Sequence, residues 1–160
     1  MKFCIILATL IGLTLATRIK PNDFCNGEFY RNTIAKCAEE HDATQDDIED
    51  YIYLRWAASQ KAKCFRACVF EGCKAFNSDG SFVANAPQTT GFLTSRQDPS
   101  LWIYGEEEAR KCMAIKLEQN NLCEKTEAFM RCFPAKSPVP LSLIGAYCDN
   151  LIEENNLCKK

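Results

Sequence analysis

Apolar residues recur along this chain at intervals of three and four, and no segment alternates with the two-residue period of a strand. This pattern predicts a first helix over 27–40 and a third helix over 59–76. Between them, Thr44 and Asp47 have the capping-box spacing, in which a hydroxyl and a carboxylate satisfy free N–H groups at a helix start. The helical stripe that follows consists of Ile48, Tyr51, Ile52, Arg55 and Trp56.

Turn residues and prolines separate the helices predicted after the third one. The sequence of residues 77–80 is a strong turn signal that ends the third helix. Residues 81–104 contain prolines and a glycine as well as large apolar side chains. Because apolar side chains are normally buried, we predict that this segment forms one or two short helices that pack onto the other helices. Further helices are predicted from Gly105, over 122–133 and along a stripe over 141–152, with prolines breaking the chain between the last two. The predicted fold class is all-α, a compact disulfide-stapled bundle of about six to seven helices.

The N-terminal segment has the pattern of a secretory signal peptide. A positive charge at Lys2 precedes an apolar run over 3–15, which is shorter than the roughly 20 residues that a membrane-spanning helix needs. Small residues at the end of this run provide a cleavage site. We therefore predict that 1–16 is removed and that 17–160 forms one secreted domain, in which 134–160 is a C-terminal extension.

Charge and composition exclude several classes of function. The 160 residues include 19 Lys and Arg against 21 Asp and Glu, a balance that provides no basic surface for nucleic acid. His41 is the single histidine, and no Gly-x-Ser-x-Gly motif occurs, so we predict no enzyme, no metal site and no cofactor. We interpret the acidic run over 39–50 as a solvated surface rather than a site that attracts a cationic partner.

Eleven cysteines make disulfides the main constraint on the fold. Cys4 is lost with the predicted signal peptide, and the remaining ten, in an exported chain, indicate five disulfides. Cys64 and Cys68 lie one turn apart on one helix face, a geometry poorly suited to bonding each other. Cys123 and Cys132 would be about 13 Å apart along a helix, which exceeds the reach of a disulfide. Each of these four is therefore expected to bond a cysteine on another element.

Six cysteines have the spacing C-x26-C-x3-C-x43-C-x10-C-x8-C, and these are Cys37, Cys64, Cys68, Cys112, Cys123 and Cys132. With the x3 and x8 gaps and a turn at Asp79 and Gly80, the chain resembles insect odorant-binding proteins of the pheromone- and general-odorant-binding superfamily over roughly 27–134. The disulfides that this resemblance implies are Cys37–Cys68, Cys64–Cys123 and Cys112–Cys132.

The other four cysteines, Cys25, Cys73, Cys148 and Cys158, fall outside the six-cysteine pattern. A continuous final helix would separate Cys148 from Cys158 by about 15 Å. We therefore predict that each of these two bonds either Cys25 or Cys73, in an order that the sequence leaves open. A local Cys148–Cys158 bond across a folded-back tail is the alternative.

The resemblance implies a secreted carrier that reversibly binds one small apolar molecule, such as an odorant, pheromone or lipid, in a cavity between helices. A chemosensory receptor is a further expected partner, and the oligomeric state, monomer or homodimer, stays open. In this family the segment after the sixth cysteine, here 133–147, often closes the pocket. The apolar residues expected to line the cavity are Ile52, Trp56, Phe65, Val69, Phe82, Phe92, Leu93, Trp102, Met113, Leu117, Phe129, Met130, Phe133 and Leu141.

Four aromatic side chains, Tyr51, Tyr53, Trp56 and Trp102, each offer a hydrogen bond to an alcohol, ester or aldehyde, and the sequence does not select among them. With a single histidine, we expect ligand binding to change little between about pH 7 and about pH 5. Two alternative functions remain open: a salivary-type scavenger of host biogenic amines or lipid mediators, and a secreted interaction protein with a filled core. A buried carboxylate in the cavity would favour the amine scavenger.

Overall fold

The computed structural model describes residue 25 and residues 27–96, 98–115, 121–137, 139–148 and 156–158. The predicted signal peptide and Leu117 lie outside this part of the chain. Within it the α-helices are α1 Gly27–Glu40, α2 Gln45–Ile52, α3 Gln60–Gly72, α4 Ala86–Thr94, α5 Trp102–Met113, α6 Leu122–Lys136 and α7 Ile144–Tyr147. Short 3-10 helices occupy Pro99–Leu101 and Asn156–Cys158. The all-α prediction is confirmed, since a bridge between Phe76 and Phe82 is the one β pairing among the described residues.

The second helix begins as predicted and ends earlier. Asp47 N–H donates to the Thr44 hydroxyl at 3.2 Å, and the Asp47 carboxylate accepts from Thr44 N–H at 2.9 Å, which completes the capping box. Leu54 then adopts a left-handed backbone with φ 56°, and α2 stops at Ile52. The prediction that Trp56 continues the inward stripe is therefore wrong, because its side chain is 63% exposed.

The third helix is also shorter than predicted. Its N-cap is Ser59, whose hydroxyl accepts from Ala62 N–H, and the helix ends at Gly72. Lys74 takes a left-handed φ of 54°, so the chain turns away before Phe76. The expected turn follows, with Gly80 N–H donating to the Asn77 carbonyl at 2.9 Å. It reverses the chain and brings the next segment back beside the end of α3.

Helices α4 and α5 pack against each other at unusually short range because both contain glycine at the crossing. A Cβ on Gly91 would lie 2.6 Å from the Glu106 backbone nitrogen and 2.8 Å from the Trp102 carbonyl oxygen. Gly105 faces this contact from inside α5. The prediction that α5 starts near Gly105 is wrong by three residues, since Trp102 already belongs to the helix.

The C-terminal part departs most from the prediction. Helix α6 continues through Pro134, which lies in its last turn, instead of ending at 133. The expected long final helix is reduced to α7, and Cys148 caps its end rather than lying in its middle. Leu143 N–H donates to the Ile52 carbonyl at 2.7 Å, which ties this segment to the end of α2.

Five disulfides join the described elements. Three are those implied by the six-cysteine pattern: Cys37–Cys68 links α1 to α3, Cys64–Cys123 links α3 to α6, and Cys112–Cys132 links α5 to α6. Each cross-link removes conformational freedom from the unfolded chain, by about 3–4 kcal/mol for loops of this length.

The preferred pairing of the remaining cysteines is wrong. Cys25 bonds Cys73, and Cys148 bonds Cys158, which is the local alternative. The physical reason is the early end of α7 at Tyr147. Cys148 N–H makes the last bond of this helix, to the Ile144 carbonyl at 2.8 Å, and the Cα atoms of Cys148 and Cys158 lie 5.5 Å apart instead of the roughly 15 Å of a continuous helix.

Candidate functional site

A cleft lies between the C-terminal end of α3, the segment after the 77–80 turn, and α4. Its lining residues are Tyr51, Phe70, Cys73, Lys74, Ala75, Val83, Asn85, Ala86, Thr89, Thr90 and Leu93. The cavity volume is about 30 Å³, which accommodates one or two water molecules. Small-molecule sites usually measure about 300–1,000 Å³, so a ligand requires lining side chains to move.

Backbone hydrogen bonds hold the two sides of the cleft together. Ala75 N–H donates to the Phe70 carbonyl at 2.9 Å, which closes the left-handed end of α3. Val83 N–H donates to the Ala75 carbonyl at 2.9 Å, so the returning segment is fixed beside that helix end. Lys125 of α6 donates to the Gly80 carbonyl at 2.6 Å and anchors the turn to the bundle. These hydrogen bonds thus fix the turn segment that lies between α3 and α4 at the cleft.

Aromatic packing forms the inner wall of the cleft. The Phe70 ring lies 5.7 Å from Phe129 in an edge-on contact and 6.1 Å from Phe76. Phe129 in turn stacks on Phe133 at 5.6 Å. Opposite this wall, α4 presents Leu93. The cleft therefore has an apolar interior beside an aromatic cluster.

Tyr51 lies at the inner end of the cleft, where α2 ends, and only 2% of its surface is exposed. The Tyr30 hydroxyl donates to the Tyr51 hydroxyl at 3.0 Å, and the Tyr51 ring packs edge-on against Phe65 at 5.6 Å. Burial raises the pKa of Tyr51 to about 12 and raises the pKa of Tyr30 well above its usual value. Both phenols are therefore neutral hydrogen-bonding groups at physiological pH.

Arg66 lies on α3 one turn before Phe70 and is completely buried. Its Nη1 donates to Glu127 Oε2 at 2.9 Å. The other Glu127 oxygen accepts from Ala57 N–H at 3.1 Å and from Arg131 Nε at 3.0 Å. Burial lowers the pKa of Arg66, and the neighbouring Glu127 carboxylate opposes that shift. Among the described residues, Arg66 Nε and Nη2 have no hydrogen-bond partner.

The cleft has a distinct electrostatic character. Among the residues that the structure describes, its lining includes Lys74 and no Asp or Glu. The buried carboxylates of Glu108 and Glu127 lie elsewhere, paired with Lys111 and Arg66 respectively. A neutral ligand therefore meets no unpaired carboxylate in this cleft, whereas a cationic amine would find no counter-ion in it.

Of the predicted ligand contacts within the described part of the chain, Leu93 is the one that lines this cleft. Most of the others belong to the packed core or its margin, and their role in ligand binding stays a prediction. These are Ile52, Phe65, Val69, Phe82, Phe92, Met113, Phe129, Met130, Phe133 and Leu141. Trp102 packs edge-on against Phe92 at 5.5 Å. Trp56 instead lies at the surface under the Arg131 guanidinium, 5.2 Å from its ring centre.

The polar and small residues of the cleft were not among the predicted ligand contacts. Thr89, Thr90 and Asn85 have no apolar periodicity that would mark them as lining residues. The available signal was the turn at 77–80, because a reversal there returns the following segment to the end of α3. Phe70, on the last turns of α3, was also absent from the predicted contacts.

One cluster of potential metal-ligating atoms occurs among the described residues, formed by Cys37, Glu40 and Cys68. Both sulfur atoms belong to the Cys37–Cys68 disulfide, so neither is a thiolate that could bind an ion. No helix in the described part of the chain combines the length and apolar character needed to cross a membrane.

Comparison with known proteins agrees with this architecture. The PBP/GOBP family model matches residues 27–136. General odorant-binding protein 28a of Drosophila melanogaster is 27% identical over 97 residues, covering 61% of this chain and 67% of that protein. General odorant-binding protein 19d of the same organism is 25% identical over 125 residues, covering 77% and 83%.

A solved structure shows the same fold. The odorant-binding protein 28a structure from Drosophila melanogaster superposes with a TM-score of 0.59 at 24% identity, covering 67% of this chain and 88% of that one. The family match spans most of the chain and includes the six-cysteine pattern with its three disulfides. The chain therefore belongs to the PBP/GOBP family, the odorant-binding proteins.

Proposed function

We propose that this protein is a secreted carrier that reversibly binds one small hydrophobic molecule, an odorant or pheromone, in the cleft between α3 and α4. The observation that carries the proposal is the apolar cleft at Tyr51, Phe70 and Leu93 inside a disulfide-linked helical shell of this family. The apolar run near the N-terminus and the five disulfides support export.

Burial of apolar surface supplies the affinity. At about 25 cal/mol per Å², a ligand with about 300 Å² of apolar surface gains roughly 7 kcal/mol before association costs. Because the unliganded cleft is small, part of this gain is spent on moving side chains such as Leu93 and Phe70. We expect affinities in the micromolar range and a cleft that opens as the ligand enters.

The cleft favours a neutral ligand over a biogenic amine. A buried cationic amine needs a carboxylate partner, and the lining residues offer none. Lys74 at the same cleft would repel a cation. These features support the odorant-carrier role over the amine-scavenger alternative.

Titration with the fluorescent apolar probe N-phenyl-1-naphthylamine tests the proposal. Ala75→Leu adds side-chain volume inside the cleft and should weaken probe binding at least about tenfold, since overpacking a filled site is unfavourable. Ala58→Leu, at an exposed position outside the cleft, is the matched control and should bind as the wild type does. Absence of saturable probe binding by the wild type would contradict the carrier role. Equal binding by the Ala75→Leu variant would place the ligand elsewhere.

A further inference from the structure

We propose that this cleft selects ligands that have a carbonyl oxygen, as in an ester, ketone or aldehyde, through a hydrogen bond from the Tyr51 hydroxyl. This inference rests on the proposed function, because it concerns the molecule that the carrier binds. It assigns a polar contact to a cleft whose other inner contacts are apolar.

Tyr51 provides the donor. Its hydroxyl oxygen accepts the hydrogen bond from Tyr30, so its own hydrogen remains to be donated. No described residue accepts that hydrogen. A nearly buried O–H group without an acceptor raises the free energy of the folded protein, and a ligand oxygen at the cleft would remove this penalty by accepting the hydrogen bond.

Arg66 is not a second donor to the ligand. It lies one helical turn before the lining residue Phe70 on α3, but it does not itself line the cleft. Its Nη1 donates to Glu127 of α6 at 2.9 Å. Tyr51 is therefore the donor that this proposal assigns to the ligand.

The charges at the cleft decide between a neutral carbonyl and a carboxylate. A ligand carboxylate beside Tyr51 would lose its hydration, which costs free energy. Lys74 is the cation among the described lining residues, and because it is exposed to solvent it offsets little of that cost. A neutral carbonyl oxygen accepts the hydrogen bond from Tyr51 without adding charge. The geometry thus favours a neutral ligand with one acceptor at its end.

Other polar aromatic groups are less suited to this role. Tyr53 is 39% exposed, so water satisfies its hydroxyl. Trp102 Nε1 is buried and unpartnered among the described residues, but Trp102 does not line this cleft. Tyr51 is the one of the four predicted hydrogen-bonding aromatic residues that reaches it.

A ligand pair of equal chain length tests the inference. Dissociation constants of 2-decanone and 1-decene are measured by displacement of N-phenyl-1-naphthylamine from wild type and Tyr51→Phe. Loss of the donor should raise the 2-decanone constant about tenfold and leave the 1-decene constant within about twofold. Comparing variant with wild type for each ligand removes differences in water solubility. Decanoate should bind the wild type more weakly than 2-decanone.

Two further variants separate a ligand contact from a change in packing. Tyr30→Phe removes the partner hydroxyl but leaves the Tyr51 hydrogen, so its preference for the ketone should equal that of the wild type. Arg66→Lys keeps the charge beside Glu127 and changes a residue that does not line the cleft, so its preference for the ketone should also equal that of the wild type. The infrared carbonyl band of bound 2-decanone should lie at lower frequency in wild type than in Tyr51→Phe.

The two proposals fail in different ways. Binding of 1-decene with an unchanged ketone constant in Tyr51→Phe overturns the selection of carbonyl oxygen and leaves the carrier role intact. Tighter binding of decanoate than of 2-decanone overturns the preference for a neutral ligand. If neither the probe nor either ligand binds the wild type, both proposals are overturned together.

Discussion

Arg66 and Glu127 form an ion pair in which both side chains are almost completely removed from solvent and their nearest atoms lie 2.9 Å apart. The pair joins α3 to α6 beside the Cys64–Cys123 disulfide, which connects the same two helices. A buried charge that loses its partner is strongly destabilising, so this contact fixes how the two helices pack.

Replacement of Glu127 by Gln should therefore destabilise the protein by about 3–5 kcal/mol, because the Arg66 charge then remains buried without a counter-ion. Urea unfolding with the disulfides intact measures the change. Glu124→Gln is the matched control on the same helix, since its pair with Lys63 is partly exposed and should contribute less than about 1 kcal/mol. Equal losses in the two variants would contradict a special role for the buried pair.

The crossing of α4 and α5 should not tolerate a side chain at Gly91. An added Cβ would meet the backbone nitrogen of Glu106 at 2.6 Å, and backbone cannot move aside cheaply. We expect Gly91→Ala to cost about 1–3 kcal/mol, visible as a lower thermal midpoint. Gly72→Ala provides the comparison, because its Cβ would meet only the Thr33 side-chain methyl, which can rotate away. A Gly91→Ala protein as stable as Gly72→Ala would refute this packing.

The two buried phenols should make the fold sensitive to alkali. The unfolded chain ionises its tyrosines near pH 10, whereas the pKa of Tyr51 in the folded chain is about 12. Over this interval the unfolded state releases protons that the folded state retains, so stability falls as pH rises, by up to about 1.4 kcal/mol per pH unit for each such group. Stability below pH 10 should be unaffected by this effect.

Urea midpoints measured below pH 10 and near pH 12 test this expectation. Tyr51→Phe should show a smaller fall than the wild type. Tyr53→Phe removes an exposed phenol instead and serves as the control. An alkaline fall that Tyr51→Phe leaves unchanged would argue against the burial of this pair.

Disulfide mapping tests the pairing of the four cysteines outside the six-cysteine pattern. Mass spectrometry of a non-reduced proteolytic digest should yield one peptide pair containing Cys25 and Cys73 and another containing Cys148 and Cys158. Removal of Cys25–Cys73 by serine substitution should also weaken probe binding, because Cys73 lines the cleft. Recovery of Cys25 or Cys73 joined to Cys148 or Cys158 would show that the tail is attached differently.

Local patterns in the sequence were sufficient for much of the fold. The Thr44 capping box, the Ser59 start of α3 and the full extent of α1 follow from short-range chemistry. The end of α2 could not be predicted, because the left-handed backbone at Leu54 occurs at a residue type that rarely adopts it. The tail was mispredicted for a related reason, since an amphipathic stripe does not specify where tertiary contacts end a helix.

The candidate site was less accessible to sequence reasoning. Apolar periodicity marks buried residues such as Phe65 and Val69, but it does not distinguish the solid core from the wall of a cleft. Arg66 is completely buried, whereas an arginine on a helix is normally expected at the surface. The cleft brings together the end of α2, the end of α3 and the start of α4, and only the three-dimensional turn geometry shows that these meet.

Intermolecular NOEs between bound 2-decanone and the protein's methyl groups test the central claim most directly. The account predicts NOEs from the alkyl chain to Val83 and Leu93 in the cleft, and none to Val69 in the packed core. NOEs concentrated on Val69 with none to Val83 or Leu93 would contradict the assignment of the ligand to this cleft.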